Sequence, residues 1–145
     1  MKSFFNVPLN LSMGIDSYLT CIPATDNNSA EIRLKALAPA FDTSKAEQQI
    51  WQLIKIDGSD SNCNIYCEIS GTKWYLCGNG SVGSYAELEK TSGVANKFYT
   101  FSIVNDGGFT SSLTLENSPS SCVFLTQGSA PDTDKLIQDD ASSTC

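Results

Sequence analysis

The chain contains no histidine in 145 residues. That absence removes the Ser-His-Asp and Cys-His arrangements, together with the commonest general base and metal ligand at neutral pH. Chemistry resting on carboxylates or cysteine alone stays open, but the balance shifts from an enzyme toward a binding protein that needs no cofactor. Basic residues are few: 9 Lys and Arg stand against 16 Asp and Glu, a net charge of −7. Nucleic-acid phosphates would be repelled, so nucleic acid is not an expected partner. The acidic residues are scattered, with a mild concentration at Asp132, Asp134, Asp139 and Asp140 that reads as solvated surface. Long apolar runs are lacking too. None approaches the ~18 residues that a membrane helix requires, so membrane insertion is not expected. The N-terminus, MKSFFNVPLNLSMG, is a poor secretion signal: Asn6 and Asn10 interrupt its apolar residues, and no small-residue cleavage pattern follows closely. The expectation is a cytoplasmic protein, with a secreted mature form left open.

What is present points to one domain, long enough to bury about 68–70% of its unfolded surface. Cysteines stand at positions 21, 63, 67, 77, 122 and 145. If "CEISGTKWYLC" is a hairpin turning at Gly71–Lys73, Cys67 and Cys77 face each other across it. Without a secretion signal, buried free thiols are favoured over a disulfide there. Cys63, Cys67 and Cys77 lack both knuckle spacing and a fourth ligand, so no metal is expected.

Short alternating segments run along nearly the whole chain: 4–12, 17–22, 31–37, 63–70, 73–78, 84–91, 98–105, 112–117, 122–127 and a weaker 135–138. Clusters of Gly, Asn, Asp, Ser and Pro separate them, the pattern of an all-β sandwich or barrel. Three aromatic–leucine pairs recur: Tyr18-Leu19, Tyr75-Leu76 and Phe124-Leu125, spaced by 57 and 49 residues. A polar loop follows each: "IPATDNN", "GNGSVGS" and "QGSAPDTD". A period of about 50 residues implies like units sharing one core. Three pseudo-repeats of about four strands, over approximately 1–58, 59–106 and 107–145, describe a β-trefoil with a shortened third repeat.

The stretch "SKAEQQIWQLIKIDG" (44–58) reads two ways. Ser44 and Glu47 resemble a capping box, and Ile50, Leu53 and Ile54 fall at helical spacing. Yet Ile50, Gln52, Ile54 and Ile56 also alternate, ending in the turn signal Asp57-Gly58. Gln49-Ile50-Trp51 and Asn96-Lys97-Phe98 share a polar-x-aromatic form, with Trp51 and Phe98 lying 33 and 23 residues after Tyr18 and Tyr75. This resembles the Q-x-W motif of ricin-B-type trefoils, in which the amide ties the repeat's backbone and the aromatic fills the central core. "EQQIWQLIKIDG" is also similar to the corresponding stretch of mycocypins, the trefoil protease inhibitors of mushrooms. The resemblance implies a fungal, cytosolic trefoil with residues 44–56 extended. Departures remain. Only two polar-x-aromatic sites occur, and the disulfides of plant ricin-type domains cannot be assigned. The 47-residue spacing from Trp51 to Phe98, repeated, lands on Cys145, so the last strand is absent or displaced, with "KLIQ" (135–138) one candidate to close the barrel.

Two functions from different classes follow. A lectin needs planar hydrogen-bonding groups for sugar hydroxyls and an aromatic face for the ring. By the resemblance, repeat 1 offers Asp26, Asn27, Asn28 and Arg33. Repeat 2 offers Asn79, Tyr85 and Asn96, and repeat 3 offers Gln127, Asp132 and Asp134. Turns need Asn and Asp in any case. Repeat 2 is the best site, because Tyr85 supplies a stacking face, and Asn79 and Tyr85 are expected in or beside a surface loop. The implied partners are galactose or N-acetylgalactosamine-type glycans, with a homodimer left open. The alternative is a fungal inhibitor of a serine or cysteine protease, presenting Lys73, Lys45 or Arg33. Glu87 and Glu89 fall on one face of a strand and read as a solvated edge rather than an acid–base pair. The sequons at Asn10, Asn27 and Asn79 are expected to go unused.

Overall fold

Alternation of apolar and polar residues places one face of each short segment inward, and antiparallel pairing follows across the turns. The computed structural model describes residues 5–56, 58, 62–105, 111–115 and 123–140. The elements are β1 (Tyr18–Pro23), β2 (Ala30–Lys35), α1 (Thr43–Glu47), β3 (Gln52–Lys55), β4 (Asn62–Ile69) and β5 (Thr72–Cys77). There follow β6 (Glu87–Glu89), β7 (Phe101–Asn105), β8 (Ser111–Leu115), β9 (Val123–Gln127) and β10 (Leu136–Asp140). The described residues are all-β apart from one helical turn.

A strand–hairpin–strand unit recurs. Segment 5–12 pairs through Ser12 with Tyr18 and through Leu9 with Trp51, flanking the β1–β2 hairpin. In the second unit β4 pairs with β5, β5 with β6, and β4 again with β7. In the third, β8 pairs with β9 and β9 with β10. Successive units are joined by β3–β4 and β7–β8. "KLIQ" therefore falls mainly within β10, the second strand of a hairpin. The three hairpins also meet: Leu34 N donates to Asp134 O at 2.8 Å, and Ala86 N to Leu136 O at 2.9 Å.

The β4–β5 register sets Cys67 opposite Trp74. This corrects the expectation that Cys67 faces Cys77. The turn has only two residues, Ser70 (φ 52°) and Gly71 (φ 84°), both left-handed as a type I′ hairpin requires. A shorter turn moves every partner along the strand.

The 44–58 stretch divides between its two readings. Thr43–Glu47 is helical, and Asp42 rather than Ser44 is its cap, accepting from Lys45 N at 3.3 Å. Asp42 stands outside the helix, with a non-helical ψ of 81° and a carboxylate aimed at the first turn, a role Ser44 cannot fill from inside it. The chain leaves the helix at Gln48, Trp51 bridges Leu9, and Gln52–Lys55 is extended. The helix buries none of its residues. It is held from outside, where Ser70 N donates to Glu47 Oε1 at 3.2 Å.

Trp51, Trp74, Phe101, Leu19, Ile65 and Leu76 form the centre of the core, all essentially inaccessible. Trp51 Nε1 donates to Leu19 O at 2.9 Å. Gln49 is buried with its amide fully engaged: Nε2 donates to Ala36 O (2.9 Å) and Thr20 Oγ1 (3.1 Å), and Oε1 accepts from Ala38 N (2.8 Å). Asn96 does not repeat this role; it is exposed in a left-handed turn (φ 65°), while Phe98 bridges Gly78 and packs on the core. The second buried amide is Gln138, on the inward face of β10 beside Leu136.

Candidate functional site

A cleft of about 490 Å³ opens between β2 and β6. Its floor is apolar: Ile32, Ala86, Leu88 and Leu136 are all buried. Its walls are polar because alternation turns the intervening residues outward. On β2, Glu31 and Arg33 flank inward Ile32; on β6, Glu87 and Glu89 flank inward Leu88.

Arg33 joins two carboxylates. Its Nη2 donates to Glu31 Oε1 at 3.1 Å, and its Nη1 to Asp134 Oδ2 at 2.8 Å, from the β9–β10 turn. The hydrogen bond from Arg33 holds the Glu31 carboxyl below its usual range, and the same bond raises the guanidinium. Opposite stands Tyr85, half exposed, with its hydroxyl donating to Asp132 Oδ2 at 3.3 Å. The Asp132 charge pushes the phenol up, so Tyr85 remains a donor at neutral pH. Lys135 Nζ lies 5.5 Å from the ring centroid. At the far end Lys97 Nζ bonds Glu89 and, at 3.3 Å, Glu87, and the Glu89 hydrogen bond raises the lysine. Glu31, Arg33, Tyr85 and Lys97 are all moved away from neutral pH. They are therefore suited to fixed hydrogen bonding rather than proton transfer.

The wall that carries Tyr85 is held from below by Gln138. Its Oε1 accepts from Gly80 N at 2.8 Å, and its Nε2 donates to Asn79 Oδ1 at 2.9 Å and Ser84 O at 3.4 Å. Asn79 Oδ1 also accepts from Ser81 N at 2.9 Å, closing the turn. Asn79 is thus a structural member of the loop, and removing it disturbs stability as well as any ligand.

The sequence assigned candidates to three separate repeats; the structure gathers most of them around one cleft. Asn28, Arg33, Asn79 and Tyr85 line it, and Asp132 and Asp134 are fastened to Tyr85 and Arg33 at its margin. The other four lie elsewhere. Asp26 Oδ1 accepts from Asn28 N (3.0 Å) in the β1–β2 turn, and Asn27, left-handed at φ 58°, donates to Thr72 Oγ1 (3.3 Å). Gln127 Nε2 donates to Thr133 O (2.6 Å) and Ser17 Oγ (3.3 Å), tying its own turn to the first unit. Asn96 is exposed in its turn. Glu31, Lys97 and Lys135 were not among the candidates, and Glu87 and Glu89 were read as a solvated edge. The two glutamates do share a face, but Lys97 joins them. The available signal was charge at alternate positions on β2 and β6, which a shared partner can bridge.

The lysines and arginine considered for protease contact sit on regular elements. Lys73 is the second residue of β5, with Nζ 4.9 Å from the Tyr66 ring centroid, and the hairpin tip is Ser70-Gly71. Lys45 is on α1 and Arg33 on β2. Among the described residues no cluster is arranged to hold a metal ion, and no helix is long and apolar enough to cross a membrane.

No protein-family model, curated protein or solved structure matches the chain. The likeness to ricin-B-type and mycocypin trefoils therefore rests on the residues that carry it, chiefly Gln49 and Trp51.

Proposed function

We propose that the chain is a carbohydrate-binding protein, a β-trefoil whose third repeat has no fourth strand among the described residues. The recurring strand–hairpin–strand units, chained through β3–β4 and β7–β8 with their hairpins converging, support the trefoil. One observation carries the function: Tyr85, half exposed, stands over an apolar floor among polar groups already held in place. A sugar presents an apolar C–H face and a ring of hydroxyls, which an aromatic ring and planar polar groups match. Glu31, Glu87, Glu89, Asp132 and Asp134 outnumber Arg33, Lys97 and Lys135 around the cleft. That balance favours neutral glycans over sialylated or sulfated ones. Galactose and N-acetylgalactosamine-type units, which the resemblance implies, meet this requirement. A shallow site of this kind binds weakly alone, and avidity comes from multivalent glycans or a dimer.

The test is a broad glycan array run beside a serine- and cysteine-protease panel, with wild type and Tyr85→Ala. Wild type binds neutral glycans, and Tyr85→Ala weakens binding about tenfold or more, a loss of about 1.4 kcal/mol. Its melting temperature stays unchanged, because the side chain is half exposed. Absence of glycan binding together with inhibition of a protease would replace this reading with the inhibitor.

A further inference from the structure

Buried cysteines ordinarily behave as small hydrophobic groups. Cys63 and Cys77 fit that description: both are fully buried, and burial pushes their thiols up to about 11 and about 12. Cys21 and Cys67 are different. They are equally inaccessible, but they come from different sheets, β1 and β4, and converge on one peptide group. Gln48 O accepts from Cys21 N at 2.8 Å, and Cys67 Sγ lies 3.8 Å from the same oxygen. Cys67 Sγ is also 3.5 Å from Glu47 O. Both cysteines therefore sit against the same carbonyl, and the neighbouring Cys67 thiol, ahead of burial, raises Cys21.

We propose that Cys21 and Cys67 are a disulfide-forming site, linking the β1–β2 hairpin to β4 when the chain folds in the presence of a small-molecule disulfide such as oxidised glutathione. The pair spans 46 positions of the sequence, so the bond closes a long loop of the unfolded chain. The chemistry is two successive exchanges. The Cys21 thiolate attacks one glutathione sulfur, forming a mixed disulfide and releasing one glutathione thiolate. The Cys67 thiolate then attacks the Cys21 sulfur, the protein S–S bond forms, and the second glutathione leaves with its electron pair. Two protons pass from the cysteines to the two glutathiones. The protein is oxidised by two electrons and oxidised glutathione is reduced. Because both sulfurs are inaccessible in the folded chain, the exchange belongs to folding or to rare opening. In a reducing compartment the thiols stay free.

The experiment refolds the reduced, denatured full chain in a mixture of oxidised and reduced glutathione, blocks free thiols with iodoacetamide, and maps tryptic peptides without reduction. Cleavage after Arg33, Lys55 and Lys73 leaves Cys21 on one peptide and Cys63 with Cys67 on another, so a Cys63→Ala background identifies the partner. The expected result is a Cys21–Cys67 linkage with loss of two hydrogens. The melting temperature rises by about 10 °C over the reduced protein, a gain that Cys67→Ala removes. A refolded protein with alkylated Cys21 and Cys67, or with either joined to another cysteine, overturns the proposal. Should Cys67→Ala fail to fold, the wild-type map decides alone.

Discussion

Gln138→Ala isolates the contact that holds the wall of the cleft. The backbone of Gln138 keeps its own bonds in the variant, from Gly83 N at 2.7 Å and to Ser84 O at 2.9 Å, so only the side chain is tested. Gly80 N loses an acceptor at 2.8 Å in a half-buried position, which costs about 1 kcal/mol. The missing amide leaves a hole in a fully buried place, worth another 1–2 kcal/mol or about that. Asn79 Oδ1 retains Ser81 N and belongs to an exposed residue, so water replaces its lost donor at little cost. The expected total is about 2–3 kcal/mol, read as a lower urea midpoint at unchanged slope, with tryptophan fluorescence as the probe. Gln138→Glu should be worse than alanine at neutral pH, because an acceptor then faces Asn79 Oδ1, and acidification should relieve it. Combined with Asn79→Ala, the loss should be less than additive, since both changes break the same bond. A neutral Gln138→Ala, or strict additivity with Asn79→Ala, refutes the account of the loop.

Trp51→Ala should cost about 3–5 kcal/mol, as large aromatic deletions in cores do, and it also leaves Leu19 O without its donor. Wild-type emission should be blue-shifted and resist acrylamide, because Trp51 and Trp74 are both buried; ready quenching contradicts the packing. Stability should fall on the alkaline side. Cys63, Cys77 and Tyr99 stay protonated in the fold up to about 11, about 12 and about 12, raised from 9.0, 9.0 and 10.0 by burial. For each, the stabilisation is complete below the unfolded value and disappears as pH climbs through the folded one. Unfolding midpoints should therefore decline from about pH 9 upward, and a flat profile to pH 11 argues against burial of these groups.

The all-β class was legible because alternation and turn residues act over a few positions. Ile32 and Leu34 inward with Glu31 and Lys35 outward is visible in the string AEIRLK itself. Register was less legible. A two-residue turn at Ser70-Gly71, rather than three at Gly71–Lys73, moves Cys77 away from Cys67, and composition alone does not choose between them. The helical reading of 44–58 holds only for its first turn, because the cap is Asp42, just before that stretch, and because one turn held by Glu47 and Cys67 contacts needs no apolar face. Trp51 and Gln49 were legible from their residue types. A tryptophan beside a glutamine in an apolar run is costly to expose and costly to bury unless the amide is satisfied.

The site was half legible for a related reason. Residue type marks Tyr85, Arg33 and Asp134 as capable of recognition, but only pairing between distant units decides whether they meet. Arg33 and Asp134 are 101 positions apart, and Tyr85 and Asp132 are 47 apart. The tie that brings them together had a local signal. Leu136 fixes the inward face of β10, so Gln138, two residues on, must also point inward. An inward amide is tolerable only where backbone groups satisfy it, so Gln138 required a neighbouring loop to hold. That loop is 79–84, which leads directly into Tyr85. The third unit thereby sets the aromatic wall through Gln138 and the charged wall through Asp134. The shape of this cleft depends on a hairpin that contributes little of its lining.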